Sequence, residues 1–145
     1  MSVKISISGF KEIDSVLKGV PNQLQDRGLK TAHADAAKPL INAAKAIVPV
    51  GKTSNLKSSI GVERIALKKS NVVGLVQVGP RRKGGSKGFH GHLIEFGKTN
   101  SNGTKTKPQP FMGPAFDQTK NQIEEQIKIS LGKKLDQFIK RTIKK

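Results

Sequence analysis

Hydrophobic and polar positions alternate at the start of the chain and then change to a helical spacing. Val3, Ile5 and Ile7 are separated by polar residues, which predicts a half-buried strand. After Gly9, apolar residues recur at three- and four-residue intervals, which predicts a short helix over residues 10–17. The chain is therefore expected to begin with a strand followed by a helix.

The longest regular pattern covers residues 21–47. Its apolar positions keep a helical period and include many alanines, which allow close packing against a sheet or another helix. Pro39 lacks a backbone donor and clashes with the preceding turn, so we expect a kink between Asp35 and Pro39. Pro49 favours an extended Val48 and thereby ends the helix.

Two stretches in the middle of the chain predict an antiparallel hairpin. Alternate residues from 56 to 62 belong to one face of a strand, and the apolar phase then flips. A phase flip predicts a bulge or bend near Glu63 and Arg64. Residues 72–79 have the strongest strand pattern in the chain, and the polar turn at 68–71 joins the two strands.

Residues 90–97, His-Gly-His-Leu-Ile-Glu-Phe-Gly, form a short apolar stretch between two basic, glycine-rich loops. The spacing fits a strand with Ile94 and Phe96 on one face, and it equally fits a single helical turn with Leu93 and Phe96 together. Short apolar segments of this kind anchor the adjoining loops to a core. We expect the same role here.

The loops on either side, residues 80–89 and 98–109, are predicted to be flexible because they combine glycine with lysine and arginine. Their charge suits contact with phosphates or with an acidic partner. It equally suits a solvated hairpin tip, because the whole chain is basic. The candidate interface or DNA-channel contacts are Arg81, Arg82, Lys83, Lys87, Lys98, Lys105 and Lys107.

Gly113 and Pro114 are expected to open a last helix, with the proline in its first turn. Its apolar positions then turn gradually around the helix axis, and Gly132 interrupts them. We therefore expect a break there, with residues 133–145 forming a separate basic terminal helix or a tail. The predicted apolar face before the break consists of Phe116, Ile123, Ile127 and Leu131.

Composition narrows the class of protein. A length of 145 residues fits one domain over residues 1–145. The 27 basic and 10 acidic residues give a net charge of +17, which favours nucleic acid, an anionic membrane or an acidic protein as a partner. The chain has no cysteine, which excludes disulfides. The start of the chain has no signal-peptide pattern and no stretch approaches a membrane span, so we expect a soluble protein made inside a cell.

Catalytic and metal-binding patterns are missing from the sequence. The acidic residues are scattered, and the three histidines lack a nucleophilic partner. His90 and His92 lie near Glu95, but a strand would turn Glu95 away from them, and a third well-spaced ligand is missing. The sequence Gly-Lys-Thr at 51–53 resembles the end of a phosphate-binding loop, but the earlier glycine is missing and no helix is expected to follow. We expect no enzyme activity, no cofactor and no metal.

Three stretches, taken in order, carry a resemblance to a known family. They are Val48-Pro49-Val50 followed by Thr53, Leu56 and Ser59-Ile60; residues 93–97 followed by Thr99; and residues 110–116. Their order and spacing resemble the neck and tail-completion (head–tail joining) protein family of long-tailed bacteriophages, over about residues 32–129. The chain departs from the family pattern at residues 51–55 and in the glycine- and lysine-rich run before residue 90.

The resemblance implies an α+β fold, in which a small antiparallel sheet is packed by a long helix from the N-terminal half and by a C-terminal helix. It implies a structural protein without enzymatic activity that forms a ring of six subunits at the head–tail junction of the virion, after synthesis in the host cytoplasm. The implied partners are other copies of the chain, neighbouring connector, stopper and tail proteins, and double-stranded DNA passing through the channel.

Two other functions remain open from the residues alone. A basic nucleic-acid-binding protein that acts by itself would also need the net charge of +17. A membrane-active protein would use the basic terminal helix, although that helix lacks an aromatic anchor. Phe96, Phe111 and Phe116 are expected in the core rather than at an interface.

Overall fold

The computed structural model describes residues 22–66, 74–82 and 87–143. The predicted N-terminal strand and helix, the hairpin turn at 68–71 and Lys83 lie outside these residues. The elements, in chain order, are α1 (Asn22–Ala36), α2 (Lys38–Ile47), α3 (Asn55–Ser59), β1 (Ile60–Arg64), β2 (Val76–Pro80), α4 (Gly91–Phe96), β3 (Lys98–Thr99), β4 (Lys105–Thr106) and α5 (Met112–Ile143).

The fold is of the α+β class, as the sequence predicted. Helices α1 and α2 both pack against α5, and the antiparallel pair β1–β2 lies against α2. Ala32, Ala36 and Ala44 are buried, and their small side chains let the helices approach closely. The main hydrophobic cluster joins the helices to the sheet and consists of Leu40, Ala44, Val48, Leu56, Ile60, Phe111, Ala115 and Ile123.

The interruption predicted between Asp35 and Pro39 is present, since α1 ends at Ala36 and α2 begins at Lys38. Pro39 stands in the first turn of α2, where a helix tolerates the missing N–H group of a proline. The backbone stays helical across Ala37, whose N–H group donates to the His33 carbonyl at 3.0 Å. Pro39 therefore lies at the start of the new helix α2, and the chain remains helical from α1 into α2.

The predicted hairpin is confirmed, but the predicted bulge is wrong. Strands β1 and β2 pair antiparallel in an unbroken register from Ile60 opposite Pro80 to Arg64 opposite Val76. The apparent phase flip has another cause, because residues 55–59 form the helix α3 and not the start of a strand. Leu56 and Ile60 are four residues apart and both are buried, which a helical turn allows as readily as a strand does.

Helix α5 begins as predicted, with Pro114 in its first turn, but the break predicted at Gly132 is absent. The helix continues to Ile143 and contains 32 residues. Ile123 and Leu131 are buried on the face that packs against the other helices. A glycine in a helix interior costs about 1 kcal/mol relative to alanine, and packing of this face outweighs that cost.

A polar cluster ties α1 to the turn that precedes β2. The Gly74 N–H group donates to Asp26 Oδ1 at 2.9 Å, and Lys30 Nζ donates to the other carboxylate oxygen of Asp26. His33 Nδ1 lies 2.7 Å from the Gly74 carbonyl oxygen, to which it donates. Gly74 has a φ of 78°, and a Cβ there would lie 2.6 Å from Leu29 Cβ, so only glycine suits this position.

We expect Asp26→Asn to make the protein less stable at neutral pH and less sensitive to acid. The hydrogen bond from Lys30 and the N–H group of Gly74 hold the pKa of the Asp26 carboxyl below its usual value of 3.8. A lowered pKa stabilises the fold fully above about pH 3.8, and that stabilisation is lost as the pH falls through the folded-state pKa. Thermal melting between pH 7 and pH 2 measures this. Equal slopes for the variant and wild-type protein below pH 4 would contradict the prediction.

Among the described residues, none of the helices combines the length and the hydropathy needed to cross a membrane.

Candidate functional site

A surface cleft of about 490 Å³ lies where the sheet, the turn before α4, α4 itself and the start of α5 meet. We call it the aromatic cleft. Phe111, which is buried, and Met112, which is half-buried, form part of its wall, and Phe89 and Phe96 line it from exposed positions. The remaining lining residues are Glu63, Gln77, Pro80, Arg82, Gly88, Gly91, His92 and Glu95.

Glu95 fixes one side of the cleft by binding the start of α5. One carboxylate oxygen accepts from the N–H groups of Phe111 at 2.7 Å and Met112 at 3.0 Å, and the other accepts from Gly113 at 3.1 Å. These N–H groups lie at the start of a helix, where the helix itself has no carbonyl to accept hydrogen bonds from them. The helix dipole also favours a negative charge at this end. Glu95 is therefore a cap supplied by a neighbouring helix, a role that the local spacing of the sequence does not predict.

The turn that carries Phe89 is held tightly against the sheet. Gly88 N–H donates to the Arg81 carbonyl at 3.0 Å, and Gly91 N–H donates to the Gly88 carbonyl at 3.0 Å. A Cβ at Gly88 would lie 2.8 Å from the Arg81 carbonyl oxygen, and a Cβ at Gly91 would lie 2.6 Å from Pro80 Cγ. The two glycines let the backbone approach this closely, so Phe89 stands on a well-supported turn.

Two of the phenylalanines project into solvent beside the cleft. Phe96 is 77% exposed and Phe89 is 63% exposed, and the Phe89 ring meets the His90 ring edge-on at 5.3 Å. The prediction that Phe96 belongs to the core is wrong, because α4 is a helix with Glu95 turned toward α5 and Phe96 turned outward. The prediction is confirmed for Phe111, which is buried, and Phe116 packs half-buried against the same core.

Residues 11–97, more than half of the chain, match a family model described as "Bacteriophage HK97-gp10, putative tail-component". The chain belongs to the HK97 gp10-like family of bacteriophage tail components. No curated protein and no solved structure matches it. The family agrees with the resemblance to phage neck and tail-completion proteins, and the protein is a structural component associated with the virion. Phe89, Glu95 and Phe96 lie inside the matched region.

The structure gives the predicted contact residues of this tail component different surroundings. Arg81 is half-buried: its Nε donates to the Ser59 carbonyl at 3.2 Å, and its side chain lies against Gly61, so Arg81 joins the turn to the sheet. Arg82 and Lys87 are exposed at and beside the cleft. Lys83 lies outside the described residues. Lys98, Lys105 and Lys107 are exposed on the β3–β4 hairpin, which follows α4 directly.

The β3–β4 hairpin of the tail component has its own hydrogen bonds. The Asn100 N–H group donates to the Thr104 carbonyl at 2.8 Å, and the Gly103 N–H group donates to the Asn100 carbonyl at 2.9 Å. At its base, Gly97 has a φ of 74°, which few other residues adopt. The hairpin therefore holds its lysines at a defined place next to Phe96.

Positive charge prevails in the segments beside the cleft. The described part of residues 81–116 holds six basic residues and one acidic residue, Glu95, and Glu63 of β1 also lines the cleft. Because the Glu95 carboxylate is engaged by three N–H groups of α5, it offers little negative charge to an approaching partner. We call this part of the tail component, as far as the structure describes it, the basic arm.

Neither a metal site nor a phosphate-binding loop is supported by the residues that the structure describes. In the described residues, no three histidine or acidic side chains come together as a metal site requires. His92 is exposed, and Glu95 is committed to α5. The helix α3 does follow the Gly-Lys-Thr stretch at 51–53, contrary to expectation, but it has only five residues. The glycine that would begin a phosphate-binding loop is still missing from the sequence.

Proposed function

We propose that this tail component is a ring-forming subunit of the head–tail connector, in the position of a neck or tail-completion protein that joins the DNA-filled capsid to the tail. The observation that carries the proposal is the aromatic cleft, with Phe89 and Phe96 exposed on firmly held backbone in a member of a phage tail family. Exposed aromatic side chains grouped at a cleft are typical of surfaces that become buried in an assembly.

The net charge of +17 supports a place on the path of the DNA. A ring of six such subunits concentrates like charges around its axis and needs a polyanion or acidic neighbours to offset their repulsion. Packaged double-stranded DNA and acidic connector proteins both meet this need. The exposed lysines of the β3–β4 hairpin are the residues that we assign to such contacts, together with Arg82 and Lys87.

The proposal is tested by silencing the gene during infection and examining the particles by electron microscopy. We expect full heads to accumulate beside separate, finished tails, because the missing ring would leave both partners complete but unjoined. Supplying the wild-type gene from a plasmid is the control and should restore joined particles.

Intact infectious virions from the silenced infection would contradict the connector proposal. A nucleic-acid-binding protein that acts alone would then be the better explanation of the net charge. In that case, the affinity of the purified protein for duplex DNA should fall steeply as the salt concentration rises.

A further inference from the structure

The two exposed phenylalanines beside the cleft are held outward by structure on both sides. Phe96 is preceded by Glu95, which binds three N–H groups of α5, and followed by Gly97, where a Cβ would lie 3.2 Å from the ring of Pro108. Phe89 lies between two glycines that fit against the sheet. A backbone held in this way has lost its freedom before binding, which lowers the entropic cost of ordering the site.

We propose that the aromatic cleft receives an apolar side chain carried on an acidic segment of a different protein of the phage particle. This rests on the proposed function, because it concerns the neighbour that the connector subunit joins. The cleft supplies an apolar wall made by Phe89, Phe96 and Met112. The basic arm around it supplies positive charge that attracts and orients the acidic segment.

DNA does not suit this cleft. A duplex presents mainly phosphates and sugars at its surface, and covering a phenyl ring with its bases requires unstacking them at a cost in free energy. Lysines and arginines alone would suffice to contact DNA. Phe89 and Phe96 instead point to a protein partner, because aromatic side chains in partly enclosed pockets are typical of the most strongly contributing contacts at protein interfaces.

A second copy of the chain suits the cleft less well than an acidic protein. Each copy carries +17, so a second copy seated at this cleft brings a net like charge to the basic arm. Four of the eight acidic residues in the part of the chain that the structure describes are already bound within their own subunit: Asp26 to Lys30, Asp35 to Lys38, Glu95 to the start of α5, and Glu124 to Lys128. Contacts between ring subunits are therefore expected elsewhere on the surface.

The test is a photo-crosslinking experiment in assembled particles. A benzophenone amino acid replaces Phe96, and in a matched control it replaces Gln122, which is exposed on α5 away from the cleft residues. Particles are purified and irradiated, and the adducts are mapped by mass spectrometry. We expect the probe at position 96 to react with another phage protein, within a segment that contains more acidic than basic residues.

Three results would overturn the proposal: an adduct with another copy of this chain, an adduct with DNA, or no adduct at position 96 beyond that seen at position 122. Each differs from failure of the connector proposal. Unjoined heads and tails on silencing, combined with no adduct at position 96, would leave the connector proposal intact and remove this one.

A second variant keeps the inference testable if the bulky probe prevents assembly. Phe96→Ala is expected to melt at the wild-type temperature, because the ring is mostly exposed. It should nevertheless attach to its neighbour about thirtyfold more weakly, which is the effect of removing a central aromatic contact. Phe96→Leu should recover part of the yield of joined particles. A Phe96→Ala phage with wild-type yield would overturn the proposal.

Discussion

Replacing Phe111 with alanine is expected to lower the free energy of unfolding by about 3–5 kcal/mol. The Phe111 ring is 1% exposed and belongs to the cluster that joins the sheet to α2 and α5. Its removal withdraws an aromatic ring from the cluster that also contains Ile60 and leaves a cavity that the helices cannot fully close. A domain of this size is stable by only about 5–15 kcal/mol, so the loss is a large share of the total.

Urea denaturation followed by circular dichroism measures the effect, and Phe96→Ala is the matched control. Both variants remove one phenyl ring, and both positions line the cleft. The control should stay within about 0.5 kcal/mol of wild type because Phe96 is mostly exposed. A loss below about 1.5 kcal/mol for Phe111→Ala would show that the ring is not packed as described.

Replacing Glu95 with alanine is expected to cost about 2–3 kcal/mol of stability. The substitution removes the acceptor of three N–H groups at the start of α5 and a negative charge from the positive end of the helix dipole. Glu95→Gln should cost less, because the amide keeps one acceptor oxygen. The corresponding fall in melting temperature is about 5–10 °C for a chain of this length.

Glu125→Gln provides the comparison for Glu95, since Glu125 is an exposed acid on the surface of α5. This substitution also removes one negative charge from the same basic chain. It should change the free energy of unfolding by less than about 0.5 kcal/mol. If Glu95→Gln and Glu125→Gln melted at the same temperature, Glu95 would contribute only its charge and would not cap α5. Hydrogen exchange at the amides of Met112 and Gly113 would report the same contacts directly.

The parts of the fold that the sequence predicted are those where one residue type strongly constrains the backbone. Pro39 and Pro114 can occupy only the first turn of a helix without disruption, and both do so. The hairpin was visible because β2 has a strong apolar pattern, and Phe111 was a candidate for the core because it follows a stiff proline-rich segment. These inferences needed no knowledge of distant contacts.

The incorrect predictions concern residues whose spacing fits two different secondary structures. Leu56 and Ile60 fit both a strand and a helical turn, and the structure places Leu56 in the helix α3, with both residues in the hydrophobic cluster. Gly132 taken alone is typical of a helix end. The buried Leu131 beside it, however, is held in the helix by tertiary packing. Local spacing does not report such contacts.

The aromatic cleft could be predicted only in part. The sequence located the segment at 90–97 and the basic loops around it, but it assigned Phe96 to the core. The outward direction of Phe96 depends on Glu95 reaching residues 111–113, and a contact between segments 16–18 residues apart leaves no periodic signal in the sequence. The signal for this cap in the sequence is Glu95 itself, an isolated acidic residue 16 residues before a proline-rich helix start.

The cap on α5 also has a mechanical meaning. Glu95 and Phe96 are joined by a single peptide bond, so a load applied to the exposed ring is passed directly to the first turn of the long helix. At 1.5 Å per residue, the 32 residues of α5 extend about 48 Å. Because α5 packs against both α1 and α2, a partner that binds the Phe96 ring is connected through Glu95 to the whole helical layer.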